Sequence, residues 1–128
     1  MKIVIIGGVA GGMSAAARLR RLDEKSDIVV IEKSGYVSFA NCGLPYYIGG
    51  VLEEKENLLL ETPYTLKEKF NLDVRVKSEA VSINREKKEI KIKNIETNDE
   101  YTESYDKLLI STGAKPFVPD IKGLEEAG

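Results

Sequence analysis

Cys42 is the only cysteine of the chain and the residue best suited to do chemistry. It lies in the segment Ser38-Phe39-Ala40-Asn41-Cys42-Gly43-Leu44-Pro45-Tyr46-Tyr47, downstream of a pattern typical of a nucleotide-binding unit. Pro45 predicts a short helix from about residue 42 to 48, and a helix N-terminus favours the thiolate, which is the reactive form of a thiol. The segment therefore indicates thiol redox chemistry with a bound cofactor, against the commoner role of a lone cysteine as a buried structural residue.

The chain contains no histidine, and this absence limits its chemistry. A Cys-His pair, a Ser-His-Asp triad and a histidine-ligated zinc site are excluded within these 128 residues. The sequence therefore predicts no metal site.

A glycine-rich turn between a predicted strand and a predicted helix indicates a dinucleotide site. The sequence Gly7-Gly8-Val9-Ala10-Gly11-Gly12 follows the β-branched run at 2–6 and precedes strong helix formers. Gly7 would allow a tight turn and Gly12 close packing of helix on strand, and the N–H groups at the helix start could hold a pyrophosphate. Val9 departs from the pattern, because the second glycine of the fingerprint would stand there.

Glu32 supports the nucleotide interpretation. It ends the second predicted strand, 20 residues after Gly12, where an acidic side chain can bind ribose hydroxyls. The alternative is a glycine turn in an unrelated α/β fold, with Glu32 merely exposed to water.

The pattern of the whole chain predicts an α/β fold with a parallel sheet and a small antiparallel meander. Strands of the parallel sheet are expected at 2–6, 27–32, 73–76 and 107–111. Helices are expected at about 11–22, 42–48 and 63–70, the last after a Thr62-Pro63 start signal. Alternating segments at 80–84, 89–93 and 101–105, separated by polar turns, predict the meander.

The composition is that of one modest globular domain or part of a larger one. Hydrophobic residues make up 42% of the chain, which is enough for a core, and the net charge of −2 gives no reason to expect nucleic acid as a partner. No apolar run reaches transmembrane length, so we expect no membrane association. A single cysteine allows no internal disulfide, which fits a cytoplasmic protein.

Three segments together resemble a known family. They are Ile5-Ile6-Gly7-Gly8-Val9-Ala10-Gly11-Gly12, Ser38-Phe39-Ala40-Asn41-Cys42-Gly43-Leu44-Pro45-Tyr46 and Tyr105-Asp106-Lys107-Leu108-Leu109-Ile110-Ser111-Thr112-Gly113-Ala114. In this order they are similar to the single-cysteine, FAD-dependent pyridine nucleotide-disulfide oxidoreductases, and most of all to the coenzyme A disulfide reductase branch, including its rhodanese-fused forms. The resemblance implies a Rossmann-like, glutathione-reductase-like fold that binds FAD.

The same resemblance implies roles for particular residues. Cys42 would face the flavin and form a mixed disulfide, with electrons arriving from NAD(P)H through FAD. The residues implied to contact FAD are Gly7, Gly8, Val9, Ala10, Gly11, Gly12, Glu32, Lys33, Asn41, Cys42, Ala80, Val81, Ser111, Thr112 and Gly113. Ser38 and Asn41 would also contact the pantetheine end of a coenzyme A substrate.

The helix after the glycine turn offers a further substrate contact. Ser14, Arg18 and Arg21 are spaced i, i+4 and i+7, so they share one helix face, and two guanidiniums there could bind the phosphates of coenzyme A. The alternative is that both arginines are solvated surface charges.

Three reactions within the family are open: reduction of a disulfide or persulfide, and the NADH oxidase and NADH peroxidase reactions. The oxidases and peroxidases usually carry a histidine in the glycine turn, where this chain has Ala10, so the resemblance favours coenzyme A disulfide or persulfide as the substrate. A nucleotide-binding module without catalysis is a further possibility.

Family members continue well past the length of this chain. The resemblance therefore implies that residues 1–128 are a partial FAD-binding domain, without the NAD(P)H-binding and dimerisation domains. We expect the chain alone to be inactive and the full-length protein to be a homodimer.

Overall fold

The computed structural model describes residues 1–123, in which seven strands form two sheets. In chain order the strands are β1 (Lys2–Ile6), β2 (Asp27–Ile31), β3 (Asp73–Arg75), β4 (Ser78–Asn84), β5 (Glu89–Asn94), β6 (Glu100–Ser104) and β7 (Lys107–Ile110). One sheet is parallel, with the order β3-β2-β1-β7, and the other is an antiparallel meander, β4-β5-β6. Both predicted sheets are confirmed, with strand ends within two residues of the expected ones.

The parallel sheet is apolar on both faces because both faces are covered. Val4 is paired with Val29 of β2 on one side and with Leu108 of β7 on the other. Alternate side chains of β1 point in opposite directions, so that Ile3 and Ile5 pack against the helices while Val4 packs against the meander. The continuous apolar runs read from the sequence are thus those of a sheet buried between two layers.

Three α-helices connect these strands: α1 (Ala10–Leu22), α2 (Leu44–Ile48) and α3 (Pro63–Phe70). The start of α3 is the predicted one, because the Thr62 hydroxyl accepts the Thr65 N–H at 3.2 Å and the Thr65 hydroxyl accepts the Thr62 N–H at 2.9 Å. Met13 of α1 and Leu66 of α3 join the core on the helical face of the sheet. No helix of residues 1–123 is long and apolar enough to cross a membrane.

A partly buried ion-pair network joins the two sheets. Glu103 of β6, 8% exposed, accepts hydrogen bonds from Lys2 of β1 and Arg75 of β3. Arg75 also donates to Asp73 at 2.6 Å and to the Tyr101 hydroxyl at 3.1 Å. Burial alone would raise the pKa of Glu103, but the hydrogen bonds from Lys2 and Arg75 hold it below its ordinary value.

The helix expected from about residue 42 to 48 is confirmed to within two residues. Its α-helical part begins at Leu44, and Cys42 lies in a 3₁₀ turn over Asn41–Gly43 that leads into it. The Gly43 N–H closes this turn on the Ala40 carbonyl at 2.9 Å. Because α2 has only five residues and starts after the cysteine, a helix N-terminus does not explain activation of the thiol.

Candidate functional site

The glycine turn occupies the carboxyl end of the parallel sheet. Gly7 has φ +108° and donates its N–H to the Ile31 carbonyl at 2.8 Å, which ties the end of β1 to β2. A Cβ atom at Gly7 would lie 2.0 Å from the Ser111 carbonyl oxygen, directly after β7. The sequence prediction that Gly7 permits a tight turn is therefore confirmed, and only glycine fits there.

The start of α1 leaves backbone donors available. No side chain caps the helix at Val9, and the first turn contains no acidic residue. The first-turn N–H groups of an uncapped helix, together with the helix dipole, form a binding site for an anion. Val9 has φ −105°, outside the left-handed region that favours glycine, so the turn does not require a glycine at this position for a positive φ.

Glu32 braces the glycine turn from the end of β2. It is 9% exposed, and its two carboxylate oxygens accept the Gly8 N–H at 2.6 Å and the Ser34 N–H at 2.7 Å. Each carboxylate oxygen can accept a further hydrogen bond, so capacity for ribose hydroxyls remains. Lys33 lies at the surface, where its ammonium pairs with Glu79 at 2.7 Å.

The predicted contacts at 80–81 and 111–113 meet at one edge of the two sheets. The pairing of β4 with β5 shifts register between Ala80 and Ser82, so Val81 is left out of the ladder and is half exposed. A shallow pocket of about 280 Å³ collects Ala80, Val81 and Thr112. Ser111 lies closer to the glycine turn, since its hydroxyl would be 2.5 Å from a Cβ atom at Gly11.

Main-chain hydrogen bonds fix the segment that carries the cysteine. The Ser38 N–H donates to the Gly8 carbonyl at 2.9 Å, which attaches the segment to the glycine turn. Phe39 forms a β-bridge with Leu59, and the Ala40 N–H donates to the Leu58 carbonyl at 2.8 Å. Cys42 follows directly and is an exposed free thiol.

Cys42 opens onto a groove of about 730 Å³ between α1, α3 and the cysteine segment. The groove brings together five residues that the sequence singled out for Cys42 chemistry or substrate binding. They are Ser14, Arg21, Ser38, Asn41 and Cys42. Val9 and Ala10 of the predicted cofactor set also line the groove, so the two predicted sets meet at the start of α1.

Arg18 lies elsewhere. It lines a separate apolar depression beside Met1 and Leu108, although it shares a helix face with Ser14 and Arg21 in the wheel projection. Arg21 has no carboxylate partner within residues 1–123, and its Nε donates only to the Ala17 carbonyl of its own helix at 3.2 Å. Of the two predicted arginines, the one available to a ligand in the groove is Arg21.

Sequence reasoning missed the wall opposite α1. Leu60, Glu61, Leu66 and Phe70 line the groove from α3 and the segment before it. Leu66 and Phe70 are spaced i, i+4 on the predicted helix, which is the signal that could have placed them together. The carboxylate of Glu61 accepts hydrogen bonds from Lys69 and Thr65, which lower its pKa below the ordinary value.

Comparison with known proteins identifies the family. Residues 1–128 match the family described as pyridine nucleotide-disulphide oxidoreductase. The chain belongs to this family. Over 113 residues it is 45% identical to coenzyme A disulfide reductase of Staphylococcus epidermidis, an alignment that covers 88% of the chain and 26% of that relative.

Solved structures of related oxidoreductases have the same fold. The reduced Bacillus anthracis CoADR-RHD is 59% identical and superimposes with a TM-score of 0.91 over 98% of this chain and 22% of that one. An NAD-dependent persulfide reductase from A. fulgidus is 42% identical, with a TM-score of 0.91 over 98% of this chain and 23% of that one. The chain thus spans about a quarter of the length of these oxidoreductases.

Proposed function

We propose that the full-length protein is an NAD(P)H-dependent reductase of coenzyme A disulfide, or of the corresponding persulfide, with Cys42 as its reactive thiol. The observation that carries this proposal is the groove in which Cys42, Asn41, Ser38, Ser14 and Arg21 come together. The Cys42 thiol can react with a disulfide, and the Arg21 guanidinium, which has no carboxylate partner among the described residues, can bind a phosphate. Together they suit a disulfide substrate that bears phosphates.

We propose FAD as the cofactor. The uncapped start of α1 beside the glycine turn can bind a pyrophosphate, and the Glu32 carboxylate keeps acceptor capacity for ribose hydroxyls, which supports this proposal. Val81 and Thr112 line a separate pocket that could take part of the dinucleotide. When bound, FAD supplies two-electron transfer between NAD(P)H and sulfur.

Cys42 would act by thiol–disulfide exchange. Its sulfur attacks one sulfur of the substrate disulfide, so that a bond between Cys42 and coenzyme A forms while the substrate S–S bond breaks and one coenzyme A thiolate leaves. Two electrons that originate from NAD(P)H then cleave the mixed disulfide, and the second coenzyme A leaves as a thiol once it takes up a proton. Exposure of Cys42 gives the substrate access to the sulfur.

Arg21 and the polar residues near Cys42 would orient the substrate. Arg21 can form a bidentate contact with a phosphate because its guanidinium has no carboxylate partner among the described residues. Ser38 and Asn41 precede Cys42 directly and can hydrogen-bond the amides of a pantetheine arm. Arg18 remains a weaker candidate, since it lies outside the groove.

The homodimer and the cytoplasmic location remain predictions for the full-length protein.

An oxidase or peroxidase activity is the second candidate function. It is disfavoured because Ala10, which lines the groove with Cys42, provides no acid or base for oxygen or peroxide chemistry.

A steady-state assay of the purified full-length protein tests the proposal. We expect an absorbance spectrum of bound oxidised flavin, and oxidation of NADH or NADPH that depends on added coenzyme A disulfide and is abolished in Cys42→Ser. Flavin-dependent oxidation of NAD(P)H by oxygen alone, unchanged in rate by coenzyme A disulfide, would overturn it in favour of an oxidase.

A further inference from the structure

Arg20 is a buried arginine that neighbours the groove without entering it. Its side chain is 9% exposed, and within residues 1–123 it pairs with no carboxylate. A buried charge of this kind is costly unless all of its donors are satisfied. The contacts of this guanidinium therefore call for an explanation beyond ordinary packing.

Four of the five N–H donors of the Arg20 guanidinium bond main-chain carbonyls. Its Nη1 donates to the Asp23 carbonyl at 3.1 Å and to the Glu24 carbonyl at 2.7 Å, just past the end of α1. Its Nε donates to the Phe70 carbonyl at 2.9 Å and its Nη2 to the Asn71 carbonyl at 3.0 Å, at the end of α3. A single side chain thus caps the C-termini of two helices, where a cation also meets the negative ends of both helix dipoles.

This contact fixes the two helices that form opposite walls of the groove. Arg21, the next residue along the chain, lines the groove from α1, and Phe70 lines it from α3. Within the described residues, the bonds of Arg20 are the only hydrogen bonds that run from α1 to α3 or its C-cap. The other contacts between α1 and α3 are made by apolar side chains of the shared core. Such packing lets one helix slide along the other more readily than the planar fork of hydrogen bonds from Arg20 does.

We infer that Arg20 is a positioning residue that sets the separation of α1 and α3 and thereby places Arg21 for the phosphate-bearing part of the substrate. The inference rests on the proposed reduction of coenzyme A disulfide. Cys42 is held by different contacts, those of Ser38 and Ala40 with Gly8 and Leu58, so loss of Arg20 leaves the thiol in place. Arg20 therefore affects binding of substrates that carry the phosphates and adenosine, and not the exchange reaction itself.

Two substrates distinguish an effect on phosphate binding from an effect on the exchange reaction in the full-length holoenzyme. Coenzyme A disulfide has the phosphates, whereas the disulfide of pantetheine has the same reacting end without them. For Arg20→Lys, which keeps the charge but loses the planar fork, we expect the KM for coenzyme A disulfide to rise about tenfold, with kcat and flavin content within about twofold of wild type. The kcat/KM for pantetheine disulfide should change by less than about twofold.

Arg85→Lys is the matched control, because Arg85 is exposed in the turn between β4 and β5 and should leave both substrates unaffected. If Arg20→Lys does not fold, Arg20→Gln, a neutral side chain that keeps two N–H donors, is measured in the same way. An unchanged KM for coenzyme A disulfide, or an equal loss with both substrates, would overturn the positioning role. A wild-type protein that does not reduce coenzyme A disulfide would instead refute the proposed function.

Discussion

A Cβ atom placed on Gly12 would lie 1.8 Å from the carbonyl oxygen of Gly7. The first turn of α1 is thus in direct contact with the end of β1, and this contact aims the uncapped N–H groups of the helix at the carboxyl edge of the sheet. The sequence prediction that Gly12 permits close packing of helix on strand is confirmed, and any side chain there must move the helix.

Gly12→Ala should therefore destabilise the fold and abolish flavin binding. Because the added methyl group meets backbone, which cannot rotate away, we expect a loss of about 3 kcal/mol or more in the free energy of unfolding. Gly35→Ala is the control, since its Cβ atom would meet only the end of Lys77 at 3.6 Å. Thermal unfolding of both variants of the full-length protein, with the flavin spectrum recorded alongside, checks the difference; equal stability of the two would refute the packing argument.

Arg21 and Arg18 should differ in their effect on substrate binding, although the sequence suggested equal roles. Arg21 lines the groove with Cys42 and Arg18 does not. Arg21→Gln is expected to raise the KM for coenzyme A disulfide about tenfold through loss of a charge-assisted contact, and Arg18→Gln to change it by less than about twofold. Steady-state kinetics of the two variants decide the point, and a larger effect of Arg18→Gln would place the phosphates in the depression beside Met1 and Leu108.

Glu103 should make the protein less stable in acid. The folded-state pKa of Glu103 is lowered, so its carboxylate contributes stability that is fully present above the unfolded pKa of about 4.3 and is lost as the pH falls through the lower folded value. Glu103→Gln should cost about 1–3 kcal/mol at pH 7, because Lys2 and Arg75 lose a charged partner.

The control for this prediction is Glu86→Gln, because Glu86 lies exposed in a hairpin turn and its substitution should not change the free energy of unfolding. Urea unfolding between pH 7 and pH 3 measures the difference between wild type and Glu103→Gln. It should shrink towards zero at the acid end, and a difference that stays constant over this range would contradict the ion-pair explanation.

The strands, the glycine turn and the start of α3 could be predicted from the sequence because local signals determine them. Apolar β-branched runs, the Thr62-Pro63 cap and the polar hairpin turns each act over a few neighbouring residues. The glycine spacing likewise placed Gly7 and Gly12 correctly, since both are required by contacts between adjacent elements.

What the sequence could not reveal depends on contacts between distant residues. Arg20 reads as an ordinary surface charge on a helix, and its burial becomes apparent only when the carbonyls of Phe70 and Asn71 come beside it. The bridge from Phe39 to Leu59, which positions the cysteine segment, joins two stretches with no strand pattern of their own. Arg18 and Arg21 share a helix face, and only the packing of α1 places Arg21 in the groove with Cys42 and Arg18 in a separate depression.

Whether Cys42 reacts with the substrate is tested best by the intact mass of the full-length protein under non-reducing conditions, before and after addition of coenzyme A disulfide, with Cys42→Ser measured in parallel. If Cys42 is the reactive thiol, the wild type gains the mass of one coenzyme A per chain, and this added mass is removed by a reducing agent and absent from Cys42→Ser. A wild type that gains no coenzyme A, while peroxide oxidises Cys42 to sulfenic or sulfinic acid, would contradict it and favour the oxidase or peroxidase reaction.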